Sequence, residues 1–170
     1  TSPLSEPSLP LRTLSLNMHM LPLTDEQTAR WKALVRHLHK FDLIFFQELF
    51  ESPVTPFFTI VRDLRARGFW VCLPPKPASR PLGSGLLIAS RSRLLSGDFK
   101  MFSEAVSCDK LAAKGVLACE VEALPHTLVA TLHSLATYWD RLSKRDEALR
   151  GRQWDEAAAW LLSHGKPNVV

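Results

Sequence analysis

Cysteine is scarce in this chain, which carries Cys72, Cys108 and Cys119 among its 170 residues. Three cysteines are too few for a disulfide framework and do not have the spacing of a zinc site, although they leave room for one disulfide. The chain also has no glycine-rich phosphate loop and no internal repeat. These absences argue against a disulfide-stapled scaffold, a P-loop enzyme and a repeat protein.

Long apolar runs are missing as well, since no uninterrupted apolar stretch is long enough to span a bilayer. No secretory signal is visible, and the chain begins at Thr1 without Met, so the sequence leaves the compartment open. Neither sign of charge is in large excess, because 21 Lys and Arg oppose 17 Asp and Glu for a formal net charge of +4. This mildly basic balance permits a polyanionic partner or a membrane surface without requiring either.

The residues that are present suffice for a packed core. An apolar fraction of 46% in 170 residues is ample for one domain or most of one. Residues 1–10 are rich in Ser and Pro and predict a tail or linker. Apolar periodicity predicts helices over residues 25–40, 56–67 and 144–164. It predicts strands over residues 11–17, 41–48, 69–73, 84–90, 115–123 and 127–133, with a further strand starting near residue 166.

The first and third predicted helices carry more specific signals. The first helix is preceded by a match to a capping box with acids in the first turn, in Thr24, Asp25, Glu26 and Gln27. In the third helix, apolar side chains recur at helical spacing and predict the buried face: Trp154, Ala157, Ala158, Leu161 and Leu162.

Glu48 ends a largely apolar run, residues 41–46 followed by Gln47, that is typical of a buried strand. The strand before it ends in a polar amide at Asn17. Two buried strands that deliver an amide and a carboxylate to one rim suit a hard cation and a phosphate. The alternatives are that Glu48 is a strand-end carboxylate in water and that Asn17 caps the following turn.

These segments occur in the order found in a known superfamily. They are the strand that ends at Asn17, Asp42-Leu43-Ile44 with Gln47-Glu48, Ser84 to Arg91, Lys114-Gly115-Val116-Leu117, and Thr131-Leu132-His133-Ser134. In this order they resemble the endonuclease/exonuclease/phosphatase superfamily over residues 11–170. The resemblance implies a four-layered α/β sandwich with a metal-dependent phosphoesterase site.

Three segments make the chain most similar to neutral sphingomyelinases. Their Asp-x-Leu-Ala-x-Lys-Gly, Asn-Ser-Gly-Leu-Leu-x-x-Ser-Arg and Gln-Glu-x-Phe segments resemble residues 109–115, 83–91 and 47–50, with Gly83 in place of the Asn. By contrast, Leu132-His133-Ser134 is closer to the Leu-His-Ser of deoxyribonuclease I-like nucleases, which share the Asn and the Gln-Glu. The nuclease alternative therefore stays open.

The resemblance implies roles for five side chains. Glu48 would bind Mg²⁺ or another divalent cation, and Asn17 would position this carboxylate or the phosphate oxygens. His133 would donate a proton or a hydrogen bond at the phosphate. Lys114 would add positive charge there, with Asp109 holding or releasing it as an activity switch. The plain alternatives are a structural strand histidine at His133 and an exposed loop pair at Asp109 and Lys114.

The remaining histidines show no metal spacing and are predicted to be structural: His19, His37, His39, His126 and His164. The superfamily's later Gly-Asp-x-Asn motif and near-terminal Asp-His pair do not occur in this chain. Val169-Val170 is expected to begin the strand that leads to the first of them. Residues 11–170 are therefore expected to be the N-terminal portion of one domain, without its C-terminal strands and inactive when expressed alone.

For the whole protein the resemblance implies a Mg²⁺-dependent phosphodiesterase of the sphingomyelinase type. In-line attack of water on sphingomyelin would give ceramide and phosphocholine, so a phospholipid and a membrane surface are the expected partners. One alternative is a deoxyribonuclease I-like endonuclease that acts on nucleic acid. Another is a non-catalytic descendant that binds phospholipid or a protein partner.

Overall fold

A computed structural model describes residues 10–22, 24–136 and 143–170, so the predicted tail lies outside these ranges except for its last residue. Three α-helices lie in the described ranges: α1 (Gln27–Val35), α2 (Phe57–Ala66) and α3 (Lys144–Leu162). Eight strands accompany them: β1 (Thr13–Met20), β2 (Leu43–Leu49), β3 (Trp70–Cys72), β4 (Leu87–Ser90), β5 (Leu94–Met101), β6 (Gly115–Val121), β7 (Thr127–Leu132) and β8 (Asn168–Val169). Short 3₁₀ helices cover Leu38–Lys40 and Ser107–Leu111. None of the described helices is long and apolar enough to cross a membrane.

The strands form two four-stranded sheets, in the orders β1-β2-β4-β3 and β5-β6-β7-β8. In the first sheet β1 and β2 are parallel, with α1 in the connection between them, and β4 is antiparallel to both β2 and β3. In the second sheet β6 is antiparallel to β5 and β7, which confirms the predicted β6–β7 hairpin. β8 adds a parallel edge beside β7.

Four layers result, because the sheets pack face to face and each carries one or two α-helices on its outer side. Phe45 and Ile88 of the first sheet share a buried cluster with Leu117 and Val129 of the second. The helices α1 and α2 cover the outer face of the first sheet with Trp31, Ile60, Val61 and Leu64. On the other side, Ala157 of α3 packs with Phe102 and Val116. This order of helix, sheet, sheet and helix is the sandwich that the resemblance implied.

The start of α1 differs from the predicted capping box. Thr24 Oγ1 donates to the Leu21 carbonyl oxygen over 2.9 Å, and Gln27 Nε2 donates to the Thr24 carbonyl oxygen over 3.0 Å. Polar side chains that bond to their own turn compete with the helix for these groups. Glu26 also has a left-handed backbone with φ 59, so the helix begins only at Gln27. It ends at Val35, before the predicted end at residue 40.

The predicted buried face of α3 is confirmed at Ala157 and at the partly buried Leu161, and it is wrong at its other three positions. Gln153 and Ala157 face the core, whereas Trp154, Ala158 and Leu162 are exposed. Gln153 explains the difference, because its side chain satisfies two backbone groups. It accepts from the Leu135 N–H over 2.8 Å and donates to the Glu104 carbonyl oxygen over 3.0 Å. Leaving such groups unpaired inside a protein costs about 1–3 kcal/mol each, so the two hydrogen bonds together favour Gln153 at the buried position.

The strand β5 is absent from the sequence prediction. Half of its residues are exposed, and they include Gly97 and Asp98, so they show no apolar alternation. Pairing with β6 along its whole length creates the strand. Gly97 is needed at this point, because a Cβ there would lie 2.5 Å from Cys72 Sγ. Cys72 and Cys119 are both free thiols, so the disulfide that the sequence permits is not formed between them.

Candidate functional site

Asn17 and Glu48 meet at one edge of the first sheet, as the ends of the two predicted strands suggested. In the parallel pairing of β1 and β2, Asn17 lies opposite Gln47. Asn17 Nδ2 donates to Glu48 Oε1 over 2.8 Å, and Asn17 Oδ1 accepts from the His19 N–H over 2.9 Å. The amide thus holds the carboxylate in one orientation, in addition to bonding the turn of chain that follows it.

The strand β1 continues past its predicted end and is bulged there. Between Asn17 and Met20 the register shifts, so that β1 advances three residues while β2 advances two. The backbone is left-handed at His19 (φ 47) and at Glu48 (φ 54). Such conformations cost on the order of 1–3 kcal/mol each and cluster at functional sites. Bulges are likewise common next to active sites, where they turn a side chain toward a ligand.

Gly85 supports the strained backbone of Glu48. Its carbonyl oxygen accepts from the Leu49 N–H over 2.9 Å, and its own φ is 73. A Cβ at this position would lie 3.1 Å from the Glu48 Cα and 3.0 Å from the Phe50 ring. Glycine is therefore the residue that fits this close approach with a positive φ. Because a positive φ at Gly85 is not compatible with an extended strand, β4 begins at Leu87 and not at residue 84 as predicted.

The second sheet delivers His133 to the same edge, directly after β7. Gln47 Nε2 donates to Thr131 Oγ1 over 2.7 Å, which ties β2 to β7 across the two sheets. His133 is buried, and its Nε2 lies 3.7 Å from Glu48 Oε1. Residues that are 31 and more positions apart in sequence are thus brought to one carboxylate by the packing of the sheets.

His133 is uncharged near neutral pH. Burial lowers its pKa to about 4, and the nearby Lys114 ammonium acts in the same direction, whereas Glu48 and Asp109 act against it. His133 Nδ1 lies 3.4 Å from the carbonyl oxygen of Ser84, which can only accept. This contact favours the tautomer with the proton on Nδ1, in which the Nε2 lone pair faces the Glu48 side of the site.

Asp109 and Lys114 form an ion pair inside the protein, not on an exposed loop. Lys114 Nζ lies 2.7 Å from Asp109 Oδ1, and both side chains are buried. Lys114 Nζ also donates to the Ser134 carbonyl oxygen over 3.1 Å. Because Ser134 directly follows His133, the pair anchors the segment that carries this histidine.

His19 is a residue of this edge that was not predicted to belong to the site. Its Nδ1 lies 3.3 Å from Glu48 Oε2, and its side chain is 61% exposed. The available signal was a histidine two residues after Asn17. Only the bulge decides that its ring turns toward Glu48, and the bulge is set by the pairing of β1 with β2.

A cleft of about 630 Å³ opens at this edge of the sandwich. Its polar lining includes Asn17, Gln47, Glu48 and His133. Its apolar lining consists of Val116, Leu132, Leu135, Trp154, Leu161, Val169 and Val170, with small side chains between them. A few convergent polar groups in a mostly apolar cleft suit a ligand with a charged head and an apolar body.

Glu48 is suited to be a carboxylate ligand of a divalent cation. Its partners are the Asn17 amide and the imidazoles of His19 and His133, and in the described ranges no Lys or Arg pairs with it. The same ranges hold no group of three or more His, Cys, Asp and Glu side chains that could bind a metal ion together. One carboxylate is enough for Mg²⁺, which keeps several waters and takes its other ligands from substrate phosphates. The residues at this edge therefore fit such a cation.

Comparison with known proteins gives a likeness of fold. No protein-family model matches the chain, and no curated protein matches it in sequence. Among solved structures, sphingomyelinase C from Streptomyces griseocarneus has a TM-score of 0.77 and 17% identity, over 92% of this chain and 60% of its own. A double-mutant beta toxin from Staphylococcus aureus with bound magnesium ions has a TM-score of 0.78 and 15% identity, over 92% and 60%.

A third solved structure is an endonuclease/exonuclease/phosphatase family protein from Leptotrichia buccalis. It has a TM-score of 0.56 and 12% identity, over 82% of this chain and 60% of its own. The chain thus spans about three fifths of the length of these solved chains. It has the α/β sandwich fold of the endonuclease/exonuclease/phosphatase superfamily, and within that fold it is similar to sphingomyelinase.

Proposed function

We propose that this protein is a divalent-metal-dependent phosphodiesterase of the sphingomyelinase type, which cleaves sphingomyelin into ceramide and phosphocholine. One observation carries the proposal: Asn17 and His133 converge from two sheets on the Glu48 carboxylate, at 2.8 Å and 3.7 Å. The likeness in fold to a sphingomyelinase C and to a magnesium-bound beta toxin supports this class of enzyme.

Glu48 would hold the metal, with Asn17 fixing the carboxylate through its Oε1. Bound Mg²⁺ supplies a Lewis acid that stabilises the charge developing on the phosphoryl oxygens. The contribution of the chain is to keep Glu48 rigid, through the Asn17 hydrogen bond and through the contact of its backbone with Gly85. A ligand that is held in place before the substrate arrives needs no reorganisation during the reaction.

His133 would act as an uncharged imidazole whose Nε2 accepts a hydrogen bond or a proton from a water in the cleft. The contact of Nδ1 with the Ser84 carbonyl oxygen supports this tautomer, and burial supports the uncharged form. The water oriented in this way would attack phosphorus in line with the leaving oxygen. His133 would then accept a proton or a hydrogen bond from the attacking water. The resemblance had instead implied that His133 donates one at the phosphate.

Asp109 and Lys114 would position His133 through the Ser134 carbonyl oxygen. Direct contact of Lys114 with the phosphate, which the resemblance implied, would require the 2.7 Å ion pair with Asp109 to open. Breaking a buried pair is costly, so we assign the pair this positioning role in the closed arrangement.

A lipid substrate is favoured by the apolar lining of the cleft and by a net charge of +4, which is too small for strong attraction to a nucleic-acid polyanion. The second candidate is a nuclease, which the segment Leu132-His133-Ser134 favours. Both candidates would use the same Glu48 edge, so the substrate must be decided by assay.

Release of phosphocholine from sphingomyelin vesicles tests the proposal in the protein that carries this chain. We expect turnover with Mg²⁺, loss of turnover with a chelator, and recovery when Mg²⁺ is added back. Glu48→Gln should abolish turnover, whereas the matched control Glu122→Gln, on an exposed glutamate after β6, should not.

Plasmid nicking in the same buffers is the parallel assay for the nuclease. Nicking without release of phosphocholine would favour the nuclease over the sphingomyelinase. Binding of vesicles with neither reaction, at any concentration of Mg²⁺, would favour the non-catalytic descendant.

A further inference from the structure

His19 contacts the proposed metal ligand, although its position in the sequence carries no metal-site spacing. We infer that His19 is a second protein ligand of the cation at Glu48. The site therefore binds cations of intermediate hardness, such as Co²⁺ and Zn²⁺, more tightly than the hard cation Mg²⁺. The inference deepens the proposed function and rests on the assignment of Glu48 as a metal ligand.

The spacing of His19 and Glu48 suits two ligands of one ion better than it suits a hydrogen bond. The distance from His19 Nδ1 to Glu48 Oε2 is 3.3 Å, and a typical N–H···O hydrogen bond measures about 2.9 Å. Two ligand atoms that each lie about 2.1 Å from a metal are about 3.4 Å apart at the tetrahedral angle and about 3.0 Å apart at a right angle. The observed distance falls between these values, so the two side chains can receive one cation without moving apart.

At both His19 and Glu48 the backbone has a positive φ, which residues other than glycine seldom adopt. In the described part of the chain these conformations occur at His19, Glu48, Glu26 and His126. Glu26 precedes α1 and His126 lies in the β6–β7 turn, where left-handed residues are common. His19 and Glu48 lie inside neighbouring strands, and their side chains meet. Strain at two facing strand residues indicates a functional constraint on their side chains.

Hydrogen bonds fix the backbone of His19 on both sides. Its N–H donates to Asn17 Oδ1 over 2.9 Å, and its carbonyl oxygen accepts from Arg30 Nη2 over 3.0 Å and from Thr24 Oγ1 over 3.3 Å. The same Asn17 amide donates to Glu48 Oε1, so one side chain orients both members of the pair. A surface ion pair between flexible side chains needs no such support, whereas metal ligands are commonly oriented by it.

The exposure and chemistry of the pair fit an ion that arrives from solvent. The His19 side chain is 61% exposed, and that of Glu48 is 15% exposed. A neutral imidazole is a good ligand for Co²⁺ and Zn²⁺, whereas Mg²⁺ prefers oxygen. Loss of the His19 imidazole should therefore strongly lower the affinity of the site for Co²⁺ and Zn²⁺ and only slightly lower its affinity for Mg²⁺.

Two substitutions remove the imidazole in different ways. His19→Asn keeps a residue that tolerates the left-handed backbone, and His19→Phe keeps an aromatic ring without a ligand atom. His126→Asn is the matched control, because His126 is also an exposed histidine with a positive φ of 65. Glu48→Gln reports on the proposed metal site itself. Thermal unfolding of all four variants shows whether each one folds.

Binding of cations is measured directly, in the protein that carries this chain and without substrate. Titration with Co²⁺ is followed by visible absorption, and titration with Mg²⁺ by calorimetry. We expect both His19 variants to lower the affinity for Co²⁺ by roughly 10–100-fold, the range seen when groups that support a metal site are lost. The affinity for Mg²⁺ should fall by less than about threefold. His126→Asn should change neither affinity. With Zn²⁺, the ¹⁵N resonances of the His19 imidazole should shift on binding.

The possible failures are distinct. If Glu48→Gln loses Co²⁺ while both His19 variants keep it, the inference about His19 is overturned and the role of Glu48 stands. If Glu48→Gln binds Mg²⁺ and Co²⁺ as tightly as the parent protein, the proposed metal site fails, and the inference about His19 fails with it.

Discussion

The parallel pair β1 and β2 carries a carboxylate near each of its two ends, and the surroundings of these carboxylates differ. Asp42, just before β2, accepts from Arg12 through Nη2, Nε and the backbone N–H, at 2.9 to 3.0 Å. Glu48, near the other end, meets the Asn17 amide and two imidazoles. Within the described residues the first carboxylate has a permanent cationic partner and the second has none.

This difference separates a structural end of the strand pair from the end that carries the candidate site. The hydrogen bonds from Arg12 lower the pKa of Asp42 to about 2, so the carboxylate is fully ionised and bound in the folded protein. Glu48 instead lies on a strained backbone with φ 54, and its carboxylate is held by the Asn17 amide at the position of the proposed cation. The same two strands thus contribute stability at one end and a candidate site at the other.

Glu48→Gln is expected to have the largest effect, at the end that carries the candidate site. Turnover on sphingomyelin vesicles at saturating Mg²⁺ should fall by roughly 10³-fold or more, because the charge that holds the metal is lost. The free energy of unfolding should change by less than about 1 kcal/mol, since shape is conserved. Asp42→Asn is the matched control and should leave turnover unchanged. Near-normal turnover in Glu48→Gln would contradict the assignment of this carboxylate.

His133→Ala acts on the same end from the second sheet. Turnover should fall by roughly 10²–10⁴-fold, because a positioned base or hydrogen-bond acceptor is removed. Turnover per folded molecule and the unfolding temperature are measured on one sample. A lower unfolding temperature with unchanged turnover per folded molecule would show that His133 is only a structural residue.

Lys114→Met extends the comparison to an ion pair inside the protein. Removing the ammonium leaves the buried Asp109 carboxylate without it, so the free energy of unfolding should fall by about 3–5 kcal/mol in urea titrations. Arg12→Met, at the exposed pair with Asp42, should have a much smaller effect because solvent screens that pair. The double variant Asp109→Asn with Lys114→Met should recover part of the loss. Equal effects at the buried and the exposed pair would show that burial of the charges does not matter here.

The pH dependence of stability tests the structural end and is the smallest effect. The pKa of Asp42 in the folded protein, about 2, lies below the value near 3.9 of an unfolded chain. Its contribution is therefore present above about pH 4 and is lost as the pH falls toward 2. Solvent exposure limits this contribution to about 1 kcal/mol or less. The difference between the parent protein and Asp42→Asn, measured by urea unfolding, should shrink over this window. A constant difference down to pH 2 would contradict it.

Prediction from the sequence worked where the signal is local. The apolar face of α2, with Phe57, Ile60, Val61 and Leu64, is confirmed because four helical positions agree with one another. It failed where a polar side chain decides the packing. In α3 Gln153 is buried and the neighbouring Trp154 is exposed, and an apolar count cannot anticipate that choice. The strand β5 is missed for a related reason, since only its pairing with β6 makes it a strand.

The candidate site divides in the same way. Asn17 and Glu48 could be placed at one rim because parallel strands end at the same edge of a sheet, and the order of the motifs placed His133 with them. The closed Asp109–Lys114 pair and the uncharged state of His133 depend on burial, which only the packed sheets create.

By itself the sequence determined most of the helices and strands and their order, because periodicity and turn chemistry act over a few neighbouring residues. The four-layered sandwich was implied by the resemblance of the ordered motifs to a known superfamily. The tertiary structure alone decided that His19 turns toward Glu48. That contact arises from a bulge between β1 and β2 and from hydrogen bonds of the His19 backbone to Arg30 and Thr24. Such a contact joins residues that are 29 positions apart, so no local pattern records it.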